Sequence, residues 1–159
     1  MIDGLIVQAG LGTRLCPQKA VPDTPASNDG HSGLEICVIF TDCSGTLAAL
    51  QRANQLTKNL EARLRLLWPY EVPYMLSLTN PAVPVEFLEG RLRALASRVP
   101  MDTAGHVYLC RDKRRTLHLI LKPGAIVILG GRKWWWSAER KLARALKHDG
   151  YHVIFTESE

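Results

Sequence analysis

The chain has 159 residues, of which 47% are hydrophobic and 22% are charged, and these values are typical of one globular domain. No apolar run approaches the roughly 20 residues that a bilayer span needs, and Asp3 stands where a secretory signal would be basic, so we expect a cytoplasmic protein without a membrane anchor. The formal net charge of +5 leaves an acidic ligand or a nucleic acid open as a partner.

Residues 1–33 are predicted to form a mobile leader, because Pro17, Pro22 and Pro25 interrupt any regular helix or central strand. Within this leader, residues 9–17 (AGLGTRLCP) follow a short predicted strand at residues 5–7. They resemble the phosphate loop of sugar-phosphate nucleotidylyltransferases, in which backbone amides cradle a triphosphate. The alternative is chance similarity over a short segment.

The strongest pattern is the apolar run at residues 36–42, which predicts a strand buried on both faces of a parallel sheet. Asp42 or Ser44 then caps a helix that extends to about Asn59. Ligands of such sheets gather at the carboxyl ends of the strands, so Asp42, Cys43 and Ser44 lie where a ligand is expected.

The rest of the chain continues the alternation of strands and helices. A second strand is predicted at residues 62–68, followed by a proline-rich loop at 69–84 and a helix that starts after Pro84. A third strand is predicted at 106–110, followed by a short helix that Asp112 caps. A fourth strand is predicted at 125–129, then a helix that Ser137 caps and Gly150 ends, and a fifth strand at 151–155. His118 is predicted to lie on a helix surface rather than to bind a ligand, because no carboxylate or second histidine lies three or four residues away. The order βαβαβαβαβ predicts an α/β fold with right-handed crossovers.

Basic residues follow the third and fourth predicted strands and are candidates for an anion site. They are Arg111, Lys113, Arg114, Arg115, Arg132 and Lys133. Because the carboxyl ends of parallel strands share one edge of a sheet, these side chains are predicted to converge there on a phosphate or a nucleic acid. Three tryptophans follow, Trp134, Trp135 and Trp136, and they cannot all enter one core. They contact a partner subunit, stack on a base, or divide between core and surface.

Residues 34–157 resemble a universal stress protein domain. The resemblance rests on the first strand ending in Asp42-Cys43-Ser44, on the fourth strand ending at Gly130, and on the Ala138-Glu139-Arg140 of the last helix. It implies a three-layer sandwich with a five-stranded parallel sheet in the order 3-2-1-4-5 and helices on both faces. It also implies a homodimer and, in one branch of the family, ATP or AMP at the strand ends.

By this resemblance, Asp42 contacts the adenine or ribose and Gly130 begins the phosphate loop. The nucleotide site then comprises Asp42, Ser44, Gly130, Gly131, Arg132, Lys133 and Ser137. Nucleotide-binding members carry Gly, two residues, Gly, about nine residues, and Gly with Ser or Thr. Here Lys133 occupies the second glycine position and no glycine precedes Ser137. This difference predicts altered or lost nucleotide binding.

The function expected from the sequence is therefore a non-catalytic stress-response or regulatory domain that requires no cofactor. No Ser-His-Asp, Cys-His or metal-ligand pattern appears at a recognisable spacing. The alternative is a protein that binds phosphate, nucleotide or nucleic acid through arginine, lysine and tryptophan side chains. A third hypothesis is a thiol function for Cys43 or Cys110, which lie near strand ends and helix amino termini.

Overall fold

The computed structural model describes residues 7–11, 33–134 and 137–158. These residues contain six strands and four helices, and strands and helices alternate from the second strand onwards. They are β1 (Val7–Leu11), β2 (Leu34–Ile39), α1 (Cys43–Thr57), β3 (Ala62–Glu71), α2 (Val85–Ala96), β4 (Thr103–Cys110), α3 (Lys113–Ile120), β5 (Ile126–Arg132), α4 (Ala138–His148) and β6 (His152–Ser158).

The strands form one sheet in the order β1-β4-β3-β2-β5-β6. Strands β2 to β6 are all parallel, and their order is 3-2-1-4-5 when the five predicted strands are counted along the chain. Helices α1 and α2 pack on one face around Leu50 and Leu92, and α3 and α4 pack on the other around Leu117 and Leu146. The predicted three-layer α/β sandwich is thereby confirmed.

Strand β1 comes from the segment that was predicted to be a leader. It pairs antiparallel with β4, from Val7 opposite Leu109 to Leu11 opposite Gly105. The described strand begins at Val7, the last residue of the strand predicted at residues 5–7, and its residues 9–11 are the first three of the predicted nucleotidylyltransferase-like loop. The remainder of the predicted leader, residues 1–6 and 12–32, lies outside the described residues, as does the rest of that loop.

The helix starts follow the predicted capping residues. Asp42 accepts a hydrogen bond from the Gly45 amide, Asp112 from the Arg115 amide and Ser137 from the Arg140 amide, so each satisfies a free amide in the first turn of its helix. Gly150 has a φ of +97°, a left-handed conformation that favours glycine, and it ends the last helix as predicted.

Strand β3 is longer than predicted, because it continues through Pro69 to Glu71. The carbonyl oxygen of Leu67 points towards β2 and accepts a hydrogen bond from the Phe40 amide. Since backbone groups alternate sides along a strand, Pro69 also faces the β2 side, but β2 has already ended at Ile39. Proline is therefore tolerated at position 69, because no neighbouring strand in the described part of the chain offers a hydrogen-bond acceptor to an N–H group there. The loop predicted from Pro69 begins only after Glu71.

Candidate functional site

The residues that follow β2 cap helix α1 and form a hydrogen bond to β5. One carboxylate oxygen of Asp42, Oδ1, accepts hydrogen bonds from the Gly45 amide at 2.7 Å and from the Ser44 hydroxyl at 2.9 Å. Thr41 donates its hydroxyl to the Gly130 carbonyl oxygen at 2.6 Å. Of the predicted nucleotide site, Asp42 therefore caps α1, and Ser44, in the first turn of this helix, donates its hydroxyl to the capping carboxylate.

The two glycines predicted to begin the phosphate loop lie within a strand. Gly130 and Gly131 belong to β5 and stand opposite Thr156 and Glu157 of β6. A Cβ atom on Gly130 would lie 1.7 Å from the carbonyl oxygen of Gly45, so the amino terminus of α1 rests directly on the β5 backbone. The glycine at this position is explained by the close approach of two backbones.

The other residues of the predicted nucleotide site also have defined positions. Arg132 ends β5, and both Arg132 and Lys133 are exposed. Ser137 caps α4. Trp134 is 69% exposed, and Trp135 and Trp136 lie outside the described residues.

A cavity of about 460 Å³ opens at the same edge of the sheet, between α3 and α4. Its lining consists of strand ends, the start of α3 and one face of α4: Thr41, Glu71, Arg111, Asp112, Lys113, Arg114, Ala138, Glu139, Lys141, Leu142 and Ala145. Its volume is in the range of small-molecule sites. None of the residues predicted to bind the nucleotide lines this cavity.

The predicted anion-binding residues divide into two groups. Arg111, Lys113 and Arg114 line the cavity, whereas Arg115 does not. Arg132 and Lys133 follow β5, and two strands separate β5 from β4, a distance of about 14 Å at the usual strand spacing. The two groups share an edge of the sheet, but only three residues of the group after β4 reach the cavity.

Arg111 holds the loop that follows β3. Its guanidinium group donates hydrogen bonds to the carbonyl oxygens of Val72 at 2.9 Å, Pro73 at 2.5 Å and Leu76 at 2.7 Å. It also lies over the Tyr74 ring, 5.2 Å from the ring centroid. Most of its donors are therefore used by the protein itself.

Arg114 and His118 lie one turn apart on α3, and both contact Asp149, which follows α4. Arg114 Nε donates to Asp149 Oδ2 at 2.9 Å, and Arg114 Nη2 donates to Oδ1 at 2.6 Å. His118 Nε2 lies 2.7 Å from Asp149 Oδ2, and His118 Nδ1 lies 3.2 Å from the Tyr151 hydroxyl. His118 is on the helix surface as predicted, but its carboxylate partner comes from 31 residues away in the chain.

Hydrogen bonds from Arg114 lower the pKa of Asp149 from 3.8 to about 2, and the bond with His118 adds to this shift. A carboxylate whose pKa is lower in the folded state stabilises the protein above its unfolded pKa, and this stability is lost as the pH falls through the folded value. We therefore expect the free energy of unfolding to fall between about pH 4 and pH 2, and Asp149→Asn to remove that part of the acid dependence. Urea unfolding of the wild type and the variant at a series of pH values measures this dependence.

Asp102→Asn serves as the control, because Asp102 is exposed and has no recorded ion pair among the described residues. The stability difference between the wild type and Asp149→Asn should be constant above about pH 5 and should shrink towards pH 2. A difference that stays constant down to pH 2 would contradict the expected role of the Arg114–Asp149 pair.

The cysteines differ in accessibility. Cys37 and Cys110 are buried, and burial raises the pKa of both thiols, that of Cys37 to about 11. Cys110 donates to the Tyr70 carbonyl oxygen at 3.6 Å, so it is a core residue rather than a reactive thiol. Cys43 is exposed, and Arg91 Nη2 donates to its sulfur at 2.8 Å. The thiol hypothesis is restricted to Cys43.

Comparisons of the chain with family models, with curated proteins and with solved structures found no match. Within the described ranges, no helix has the length and apolar character that crossing a membrane requires. Over the same residues, no group of three or more histidine, cysteine, aspartate or glutamate side chains is arranged to hold a metal ion.

Proposed function

We propose that this protein is a non-catalytic regulatory domain of the universal stress protein type in which adenine-nucleotide binding is altered or lost. The observation that carries the proposal is the placement of the predicted nucleotide residues. Asp42 caps α1 and accepts a hydrogen bond from the Ser44 hydroxyl, and Gly130 lies under Gly45. Asp42, Ser44 and Gly130 all stand outside the cavity. The sheet order of the family supports the proposal. A homodimer, a cytoplasmic location and a stress-related role belong to the same proposal.

The composition of the cavity supports binding rather than catalysis. Its lining residues, all in the described part of the chain, include no histidine, cysteine or serine. The hydroxyl of Thr41 donates its hydrogen to the Gly130 carbonyl oxygen. A hydroxyl or thiol nucleophile is commonly activated by an adjacent histidine, and this lining offers one threonine hydroxyl without a histidine beside it.

The same cavity favours a second candidate function, which is recognition of a small anionic ligand by side chains. Four of its lining residues are cationic, namely Arg111, Lys113, Arg114 and Lys141. Arginine and lysine bind phosphate oxygens through charge-assisted hydrogen bonds and do not need a glycine loop. The ligand would then lie between α3 and α4 rather than over Gly130.

Calorimetric titration of the full chain with ATP and AMP tests the first function. We expect neither nucleotide to saturate below about 1 mM, a limit that corresponds to about 4 kcal/mol of binding free energy. Asp42→Asn is the variant of choice, because asparagine preserves the helix cap while it removes the charge. It should behave like the wild type.

Tight, saturable ATP binding that Asp42→Asn abolishes would show that the family site is intact and would overturn the proposal. Release of inorganic phosphate from ATP, measured with the same preparations, would overturn its non-catalytic part if Asp42→Asn removed the activity. The Lys147→Gln variant, with an exposed lysine of α4 outside the cavity, controls for a general loss of positive charge.

A further inference from the structure

The floor of the cavity between α3 and α4 is apolar. Ala138, Leu142 and Ala145 are spaced by four and three residues, so they lie on one face of α4. Ala138 is exposed, and Leu142 and Ala145 are half-buried, so their aliphatic surface is accessible from the cavity. A ligand in this space would cover aliphatic surface below a charged rim.

Most of the charged groups on the rim are already paired within the protein. Arg111 donates to three carbonyl oxygens, and Arg114 forms a two-bond pair with Asp149. Asp112 Oδ1 accepts from the Arg115 amide, and Glu71 Oε1 accepts from the Lys113 amide at 3.0 Å. These four side chains hold α3 and the neighbouring loop in place.

Three charged groups of the lining have no recorded hydrogen bond or ion pair among the described residues. They are the ammonium groups of Lys113 and Lys141 and the carboxylate of Glu139. Lys113 belongs to the α3 wall, and Lys141 and Glu139 belong to the α4 wall. Two ammonium groups suit one doubly charged anion, and a carboxylate accepts hydrogen bonds from hydroxyl groups.

We infer that the cavity binds a phosphorylated sugar or polyol, with its phosphate between Lys113 and Lys141 and its hydroxyl groups donating to Glu139. The lining contains no aromatic side chain among the described residues, so it offers no aromatic surface on which a base could stack. A sugar phosphate therefore fits better than a nucleotide. This inference rests on the proposed recognition of an anionic ligand by side chains.

Isothermal titration calorimetry of the full chain with ribose 5-phosphate, methyl phosphate, ribose and AMP tests the inference. Ribose 5-phosphate should bind about tenfold more tightly than methyl phosphate, because hydrogen bonds to the charged Glu139 carboxylate are added. Ribose alone should show no binding. Lys113→Gln and Lys141→Gln should each raise the Kd for ribose 5-phosphate about tenfold, the effect of one lost charge-assisted hydrogen bond. Lys147→Gln should leave it unchanged.

Glu139→Ala identifies the hydroxyl contact. This variant should bind ribose 5-phosphate and methyl phosphate equally, since it removes the acceptor for the hydroxyl groups, while the lost negative charge affects both phosphates alike. If ribose 5-phosphate binds the wild type no more tightly than methyl phosphate does, recognition of an anion stands and the sugar inference fails. If AMP binds more than tenfold tighter than ribose 5-phosphate, a base is recognised and the sugar inference also fails. If no phosphorylated compound binds, the proposed recognition of an anionic ligand in the cavity and the sugar inference both fail.

Discussion

Replacing Gly130 by alanine is expected to destabilise the fold by at least about 3 kcal/mol, the upper part of the range for overpacked sites. The added Cβ atom would lie 1.7 Å from the carbonyl oxygen of Gly45 and 2.4 Å from its carbonyl carbon. Both are backbone atoms, so the only relief is to move α1 away from β5. The same movement would break the hydrogen bond from Thr41 to the Gly130 carbonyl oxygen. Urea unfolding followed by circular dichroism measures the loss.

Gly90→Ala is the matched control for this prediction. Gly90 is exposed inside α2, and nothing lies within 4 Å of the position that its Cβ would take. Alanine should therefore stabilise the helix by about 0.5–1 kcal/mol, because it reduces the entropy of the unfolded chain. A Gly130→Ala protein that unfolds at the wild-type urea concentration would show that α1 does not rest on β5 at Gly45.

The local features that the sequence predicts are those whose cause is also local. The apolar run at residues 36–42 indicates a strand buried on both faces, and its side chains from Ile36 to Phe40 are indeed buried. The capping residues Asp42, Asp112 and Ser137 bond to amides only three positions further along the chain. Pattern and capping together are sufficient for the element order and hence for the fold class.

Strand ends depend on partners that are distant in sequence. Pro69 looks like the start of a loop until β2 is seen to stop before reaching it, and the Gly130-Gly131 pair looks like the start of a phosphate loop until β6 is seen beside it. Strand β1 is a short segment in a proline-rich region, and its place is set by β4, about 100 residues further on. No local pattern contains this information.

The site was harder to predict than the fold. Arg111, Lys113 and Arg114 could be assigned to a ligand edge because they follow a strand directly. The sequence does not single out Lys141 and Glu139 as cavity-lining residues, since they lie inside an amphipathic helix whose polar face is usually solvated. The signal that could have found them is the neighbouring aliphatic face of Ala138, Leu142 and Ala145, which also lines the cavity.

The second large effect is expected for Trp68→Ala, which should reduce the free energy of unfolding by about 3–5 kcal/mol, the usual cost of removing a buried tryptophan. Trp68 is 9% exposed and lies in the core between the sheet and helices α1 and α2. Its ring stacks on the Phe40 ring, with the centroids 3.8 Å apart, and it forms an edge-to-face contact with the Tyr70 ring, with the centroids 6.0 Å apart. Urea unfolding followed by circular dichroism gives the loss without depending on tryptophan emission.

Trp134→Ala tests the opposite expectation for the same residue type. Trp134 is 69% exposed, so its removal should change the free energy of unfolding by less than about 0.5 kcal/mol when the protein is dilute. If the tryptophan run contacts a partner subunit, the same substitution should lower the midpoint more as the protein concentration rises, because association stabilises only the folded wild type. A loss of about 2 kcal/mol at every concentration would instead mean that Trp134 packs within its own chain, and the exposed position described here would be wrong.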